Sequence, residues 1–166
     1  MREIPSLSSR RPLYRKLKAG LFLLALVFLS GCGSEGPRYG LLQGGSVSFD
    51  ELEGKVVLIN YWAEWCRPCR IEIPELNRFA QQHPDRVRVF SVNFDAVSGA
   101  ALAEQVQALG IEFDTLLEDP RGELGVAASG GLPETIVLNP RGEVQQVLLG
   151  PQTEQSLNAI LGSSDL

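Results

Sequence analysis

The sequence has few of the side chains that bind transition metals in proteins. Its 166 residues contain three cysteines and one histidine, so a zinc site with four such ligands would need all of them. Cys32 lies far upstream of the others, and His83 follows a polar helix end, where we expect a solvated surface side chain. No metal, nucleotide or flavin motif is present. We therefore expect no metal and no organic cofactor.

Basic residues are scarce outside the N-terminal segment. Residues 1–18 contain six of the fifteen Lys and Arg residues and one of the twenty acids, which leaves the rest of the chain with a formal net charge of −10. Because this part has no basic cluster, it is not expected to bind nucleic acid or to adhere electrostatically to anionic lipid. The length leaves room for one domain, and there is no internal repeat.

Residues 1–31 have the layout of a secretory signal. The basic segment is followed by an uncharged, leucine-rich run over 19–29, which is too short to span a membrane comfortably as a mature helix. A retained membrane anchor is the alternative, since flanking residues could lengthen the span. Residues 9–13 also resemble a twin-arginine export signal, although basic segments produce such pairs by chance. The export route is therefore left open.

The apolar run ends in Leu-Ser-Gly-Cys at 29–32, which resembles the lipobox of bacterial lipoproteins. The resemblance implies that the signal is cut before Cys32 and that this residue is acylated. Otherwise Cys32 would be an odd thiol in an oxidising compartment. Residues 32–40 would form a flexible tether to a domain over 41–166. The expected location is the periplasmic side of a bacterial membrane, inner or outer, through the lipid anchor.

The other two cysteines lie where an apolar run gives way to a helical pattern. Residues 56–61 are almost wholly apolar and rich in β-branched side chains, which predicts a buried strand. The following apolar residues recur at a spacing near 3.6, which predicts an amphipathic helix. Cys66, at its N-terminus, is expected to be exposed and to favour a thiolate, with Cys69 one turn on. A static disulfide in so short a loop would stabilise little, so the pattern favours a redox dithiol.

The rest of the chain alternates between strand and helix patterns. A strand, a helix, a strand and a helix that follow one another at short intervals favour a parallel α/β sheet with right-handed crossovers. A turn signal at 139–142 indicates an antiparallel hairpin between the last two strands. The predicted strands are 47–49, 87–94, 135–138 and 144–149, and the predicted helices are 98–109, 119–126 and 153–161.

Residues 56–75 resemble the thioredoxin superfamily, and within it the TlpA/ResA branch of extracytoplasmic thiol–disulfide oxidoreductases. The stretch VVLINYWAEWCRPCRIEIP contains the family's strand, active site and helix in uninterrupted register. A second stretch, GLPET at 131–135, resembles the segment that holds the family's cis-proline. Asn60 stands where cytoplasmic thioredoxins carry a buried Asp, and an amide cannot accept the proton. The resemblance implies an α/β thioredoxin fold, with a central mixed sheet flanked by helices and an N-terminal strand extension.

The resemblance also implies roles for individual residues. Cys66 would attack a partner disulfide, Cys69 would resolve the mixed disulfide, and Pro133 would present the neighbouring backbone to the substrate. Glu72 matches an acidic position of ResA-like members and would exchange protons with the cysteines, unless it is an ordinary exposed helix residue. Trp62 is expected to pack beneath the site. The predicted rim of the site consists of Trp65, Arg67, Pro68 and Leu132.

Three functions remain open from the sequence. The first is a protein-disulfide reductase, acting in cytochrome c maturation or disulfide quality control and recharged by a membrane thiol–disulfide electron donor. The second is a thiol oxidase or isomerase, and the third is a non-catalytic thioredoxin-like binding module. The intact cysteines and Pro133 weigh against the third. The first is our expectation, for a monomer whose disulfide is its sole redox group and whose substrates are disulfide-bearing proteins.

Overall fold

The computed structural model describes residues 36–163, and the predicted signal and Cys32 lie outside the described residues. It confirms the predicted α/β class, with the predicted element boundaries met to within two residues. Within the described part of the chain, none of the helices has the length and apolarity needed to cross a bilayer. The elements are β1 (Arg38–Gly40), β2 (Ser46–Ser48), a 3-10 helix (Phe49–Leu52), β3 (Val56–Trp62), α1 (Arg67–Gln82), β4 (Val87–Asn93), α2 (Gly99–Leu109), β5 (Asp114–Thr115), α3 (Arg121–Leu124), β6 (Glu134–Leu138), β7 (Val144–Leu149) and α4 (Glu154–Ser163).

The central sheet has five strands in the order β5-β4-β3-β6-β7. The pairs β3–β4 and β4–β5 are parallel, whereas β3–β6 and β6–β7 are antiparallel. The mixed sheet implied by the family resemblance is therefore confirmed, and so is the parallel pairing of β3 with β4 that the strand–helix alternation predicted. The predicted hairpin between the last two strands is present as β6 and β7.

Strand β3 lies at the centre of the sheet, and all seven of its residues are buried. Because successive side chains of a strand point to opposite faces, they divide between two apolar clusters. Val56, Leu58 and Trp62 pack with α1, α2 and α4, in the cluster that also contains both cysteines. Val57, Ile59 and Tyr61 pack on the other face, against β1, β2 and α3. Both faces are covered, which explains the continuous apolar run in the sequence.

The folded domain begins earlier than the sequence predicted. Strand β1 lies inside the range assigned to the flexible tether and pairs antiparallel with β2, so the predicted boundary at residue 41 is wrong. The physical reason is burial: Tyr39 is 5% exposed and its ring stacks on Phe49 at 4.9 Å. The Gly36 N–H also donates to Asp50 at 3.0 Å. The N-terminal strand extension itself is confirmed.

Candidate active site

The loop after β3 leads directly into α1, and Cys66 caps that helix. Its sulfur accepts the N–H of Cys69 at 3.2 Å, while Pro68 lies in the first turn, where its missing N–H costs no hydrogen bond. Cys66 and Cys69 form a disulfide with their Cα atoms 5.4 Å apart. A sulfur that accepts a backbone N–H at a helix N-terminus favours the thiolate once the disulfide opens. The site therefore has the electrostatics of a reactive dithiol.

Both cysteines are buried, with Cys66 2% exposed and Cys69 fully enclosed. The sequence-based expectation that Cys66 is exposed is therefore wrong for the disulfide form. The reason is the cap, because the Cys66 side chain must turn back over the first helical turn to reach the amide of Cys69. Trp62 packs in the same apolar cluster and is fully buried, as predicted for the residue beneath the site.

The predicted rim residues surround this disulfide from two parts of the chain. Trp65 is 67% exposed and its indole N–H donates to Asp95 at 2.9 Å, while Arg67 and Pro68 are also exposed. Leu132 comes from the distant loop before β6. It is half-buried and packs against the apolar cluster that contains the cysteines. The rim thus offers an exposed aromatic ring and a cation beside a buried sulfur pair.

Pro133 lies at the same edge of the sheet as the disulfide. The Leu132–Pro133 peptide bond is cis, and Pro133 is buried. The antiparallel register pairs Tyr61 with Glu134, so the next position outward places Pro133 beside Trp62. The cysteines follow shortly after this end of β3 in the chain. The two motifs that the sequence separates by some sixty residues therefore meet in the fold.

Glu72 is fully buried on the inner face of α1, one turn after Cys69. Its Oε2 accepts from the Asn60 amide at 2.8 Å, and its Oε1 accepts from the Gln152 backbone N–H at 3.0 Å. Burial raises the pKa of Glu72 to about 7, and the hydrogen bonds from Gln152 and Asn60 lower it by less. The alternative of an exposed helix residue is therefore wrong. A carboxyl group that titrates near neutrality can give or take a proton.

Asn60 connects this carboxyl group to the sheet, a contact that the sequence did not reveal. Its Nδ2 donates to Thr135 at 3.0 Å as well as to Glu72, and its Oδ1 is buried without a donor. When Glu72 is protonated, its carboxyl group can donate a hydrogen bond. If the Asn60 amide rotated by 180° about its terminal bond, its Oδ1 would face Glu72 and could accept that hydrogen bond. The signal in the sequence that could have indicated this contact is Asn60 itself, a polar residue within an otherwise apolar strand.

No set of metal ligands accompanies the disulfide. Residues 36–163 contain no group of three His, Cys, Asp or Glu side chains that could hold a metal ion. His83 is only partly exposed, with its Nε2 3.0 Å from Asn158 and its ring packed on Phe79 at 4.9 Å. His83 is therefore a partly exposed surface residue, which also contacts one side chain of α1 and one of α4.

Comparison with known proteins gives consistent matches along most of the chain. Residues 33–147 match the AhpC/TSA family. The thioredoxin-like protein YneN of Bacillus subtilis (strain 168) is 29% identical over 163 residues, which cover 86% of this chain and 95% of YneN. The thiol-disulfide oxidoreductase ResA of the same strain is 30% identical over 129 residues, or 76% and 72% of the two chains. The crystal structure of a DsbF homologue from Corynebacterium diphtheriae superimposes with a TM-score of 0.67 at 27% identity, covering 78% of this chain and 84% of that one.

Proposed function

Because this chain belongs to the AhpC/TSA family of thioredoxin-like proteins and is a thiol–disulfide oxidoreductase of the thioredoxin superfamily, we propose that it reduces disulfides of other proteins outside the cytoplasm. The observation that carries the proposal is the meeting of two distant segments at one edge of the sheet. The Cys66–Cys69 pair caps α1 there, and the segment of Pro133 lies beside it. A binding module would not need the pair.

The proposed reaction starts from the reduced protein. The Cys66 thiolate attacks one sulfur of the partner disulfide, whose S–S bond breaks while the leaving sulfur takes up a proton. Cys69, once deprotonated, then attacks the Cys66 sulfur of the mixed disulfide. This step releases the partner as a dithiol and leaves the protein oxidised by two electrons. The Cys69 N–H and the start of α1 stabilise the thiolate of Cys66 before attack.

The resolving step needs a proton acceptor inside an apolar cluster, and we assign this role to Glu72. Cys69 and Glu72 lie one turn apart on the buried face of α1, so their side chains are neighbours. Because the pKa of Glu72 is raised to about 7, its carboxylate can accept a proton from a thiol more readily than an ordinary glutamate. Asn60 cannot take this part, since its side chain is an amide.

The location outside the cytoplasm is supported by the N-terminal sequence. Residues 1–31 have the pattern of a secretory signal and end before Cys32 in a lipobox-like stretch. We propose that Cys32 is acylated and holds the domain on the periplasmic side of a bacterial membrane. Because no nucleotide or flavin motif is present, the proposed electron donor is a membrane thiol–disulfide protein. Its substrates would include disulfides that arise in cytochrome c maturation or disulfide quality control.

Two measurements test these points separately. Equilibration of the Cys66–Cys69 pair with glutathione should give a reduction potential below about −230 mV for a reductase, whereas a value near −120 mV would make the protein an oxidant.

Metabolic labelling with palmitate should label the wild-type protein and not Cys32→Ser, which should also leave the membrane fraction. An unlabelled wild-type protein would refute the lipid anchor and leave the redox proposal standing.

A further inference from the structure

A second buried carboxylate lies directly after Pro133, on the face of the sheet opposite α1. Glu134 is 1% exposed. Its Oε2 accepts the N–H of Ser129 at 3.0 Å, so the side chain joins the two ends of the loop 129–133. A carboxylate at this depth needs compensation by charge or by hydrogen bonds. What compensates Glu134 decides how firmly the loop is held.

Arg121 provides the compensating charge. It is 8% exposed, and its Nη1 lies 3.7 Å from Oε1 of Glu134. Its guanidinium carbon lies 3.7 Å from the centre of the Tyr61 ring, a cation–π contact that desolvation strengthens. The Tyr61 hydroxyl donates to Asp119 at 2.8 Å, and the Arg121 Nε lies 3.5 Å from the same carboxylate. Through these contacts the pair Arg121–Glu134 is fixed to the central strand β3.

Besides the bond to Glu134, the Ser129 hydroxyl bonds with the Gly131 backbone at 3.4 Å, and the Pro133 carbonyl accepts the Gly150 N–H at 2.9 Å. The loop 129–133 contains two consecutive glycines, and Gly130 has a φ of 79°, in the left-handed region that glycine adopts without strain. Ser129, Gly130 and Gly131 are exposed, and only Leu132 and Pro133 turn inward. The Gly150 bond holds the Pro133 end of the loop, and the side chain of Glu134 holds its flexible, glycine-containing Ser129 end to the strand.

We propose that Arg121 and Glu134 are positioning residues that hold the loop 129–133 for docking of an extended polypeptide segment carrying the disulfide. This inference rests on the proposed function. A polypeptide must align with the backbone beside Pro133 before its disulfide reaches Cys66, whereas a small disulfide needs only access to the sulfur. Loosening the pair should therefore weaken docking of a peptide and spare reaction with a small molecule.

The test uses the pre-reduced full-length protein with two oxidants. One is a synthetic extended peptide with an internal disulfide, and the other is 5,5′-dithiobis(2-nitrobenzoate). Arg121→Lys keeps the charge but loses the planar stacking on Tyr61, and Glu134→Gln keeps an acceptor for the Ser129 N–H but loses the charge. Each should raise the half-saturating peptide concentration about tenfold while changing the limiting rate and the small-disulfide rate less than about twofold.

The chain offers a matched control in Arg88, which pairs with Asp114 and lies over the Phe90 ring at 5.7 Å but has a side chain 47% exposed. Arg88→Lys should leave both reactions unchanged. Amide hydrogen exchange should quicken at Ser129 in Glu134→Gln and not in the control. Equal losses with both oxidants, or no loss with the peptide, would overturn the positioning role. A wild-type protein that reduced neither oxidant would overturn the proposed function instead.

Discussion

Two buried glutamates on opposite faces of the central sheet are stabilised in different ways. Glu72, on the inner side of helix α1, accepts hydrogen bonds from two neutral donors, Asn60 and Gln152. Glu134, on the other face, has the guanidinium of Arg121 beside it. Burial without a cationic partner raises the pKa of Glu72 to about 7, so this carboxyl group can move protons, whereas the ion pair of Glu134 suits it to holding structure. The proposed roles, proton transfer for Glu72 and positioning for Glu134, therefore rest on this difference in their partners.

The largest expected effect concerns the face on which chemistry takes place. Cys66→Ser removes the attacking sulfur, so reduction of a disulfide peptide by the reduced protein should fall to the uncatalysed rate. Stopped-flow tryptophan fluorescence with the peptide in excess would measure this. Arg88→Lys serves as the control with normal exchange. Substantial residual reduction by Cys66→Ser would place the reactive sulfur elsewhere.

Removing the compensating charge on the other face should have the next largest effect. Arg121→Met leaves Glu134 buried without a cation, and breaking a buried pair in this way should lower the free energy of unfolding by about 3 kcal/mol. Adding Glu134→Gln should restore part of that loss, because the unpaired charge is gone. Urea unfolding at pH 7 would measure both. Arg88→Met is the control, because it breaks the exposed pair with Asp114, which contributes less than about 1 kcal/mol. If Arg121→Met lowered the free energy of unfolding no more than Arg88→Met does, the two glutamates would not differ as described.

The uncompensated carboxylate should make stability depend on pH in a defined window. Because the pKa of Glu72 is about 7 in the folded protein and near 4.5 when unfolded, the folded state binds the proton more tightly. Stability contributed by this group is therefore present below pH 4.5 and is lost as pH rises to about 7. The free energy of unfolding of Glu72→Gln, relative to wild type, should rise between pH 4 and pH 8 by on the order of 3 kcal/mol.

The control for this experiment is an exposed glutamate, Glu143, whose pKa is lowered by hydrogen bonds from Asn139 and Arg141. Glu143→Gln should not reproduce the change between pH 4 and pH 8 seen with Glu72→Gln. A constant offset between wild type and Glu72→Gln would reflect the one hydrogen bond that the amide loses. An offset without any pH dependence would contradict the raised pKa of Glu72.

The smallest expected effect is on the cysteines themselves. A neighbouring carboxylate disfavours a second negative charge, so Glu72→Gln should lower the pKa of the thiols in the reduced protein. Thiolate absorbance against pH would report the shift, and the apparent values would belong to the coupled group rather than to one residue. Superimposable curves for wild type and Glu72→Gln would remove Glu72 from the site.

The sequence could predict the site wherever local patterns determine it. An apolar run followed by a capped helix located Cys66 and Cys69, and a short motif located Pro133. The buried position of Arg121 could not be predicted in this way, because it lies in a short, polar predicted helix without a clear apolar face. Its burial follows from the register of Tyr61 with Glu134, a pairing of residues far apart in the chain.

The same limit explains the two errors near the N-terminus and the helix cap. Residues 38–40 have the composition of a linker, and only pairing with β2 and burial of Tyr39 make them a strand. Cys66 occupies a helix tip, which indicates exposure, but its hydrogen bond to the amide of Cys69 turns the sulfur inward. Strand β5, with two residues, is too short to show any periodicity.

The most direct measurement is capture of the mixed disulfide by Cys69→Ser. Reduced Cys69→Ser, mixed with the disulfide peptide, should form a covalent adduct through Cys66 that persists, because the resolving thiol is absent. Mass spectrometry of the alkylated mixture would show the protein mass increased by one peptide, with the linkage at Cys66. The wild-type protein should show no lasting adduct and a Cys66–Cys69 disulfide. Full turnover by Cys69→Ser, with no adduct, would contradict the two-cysteine mechanism.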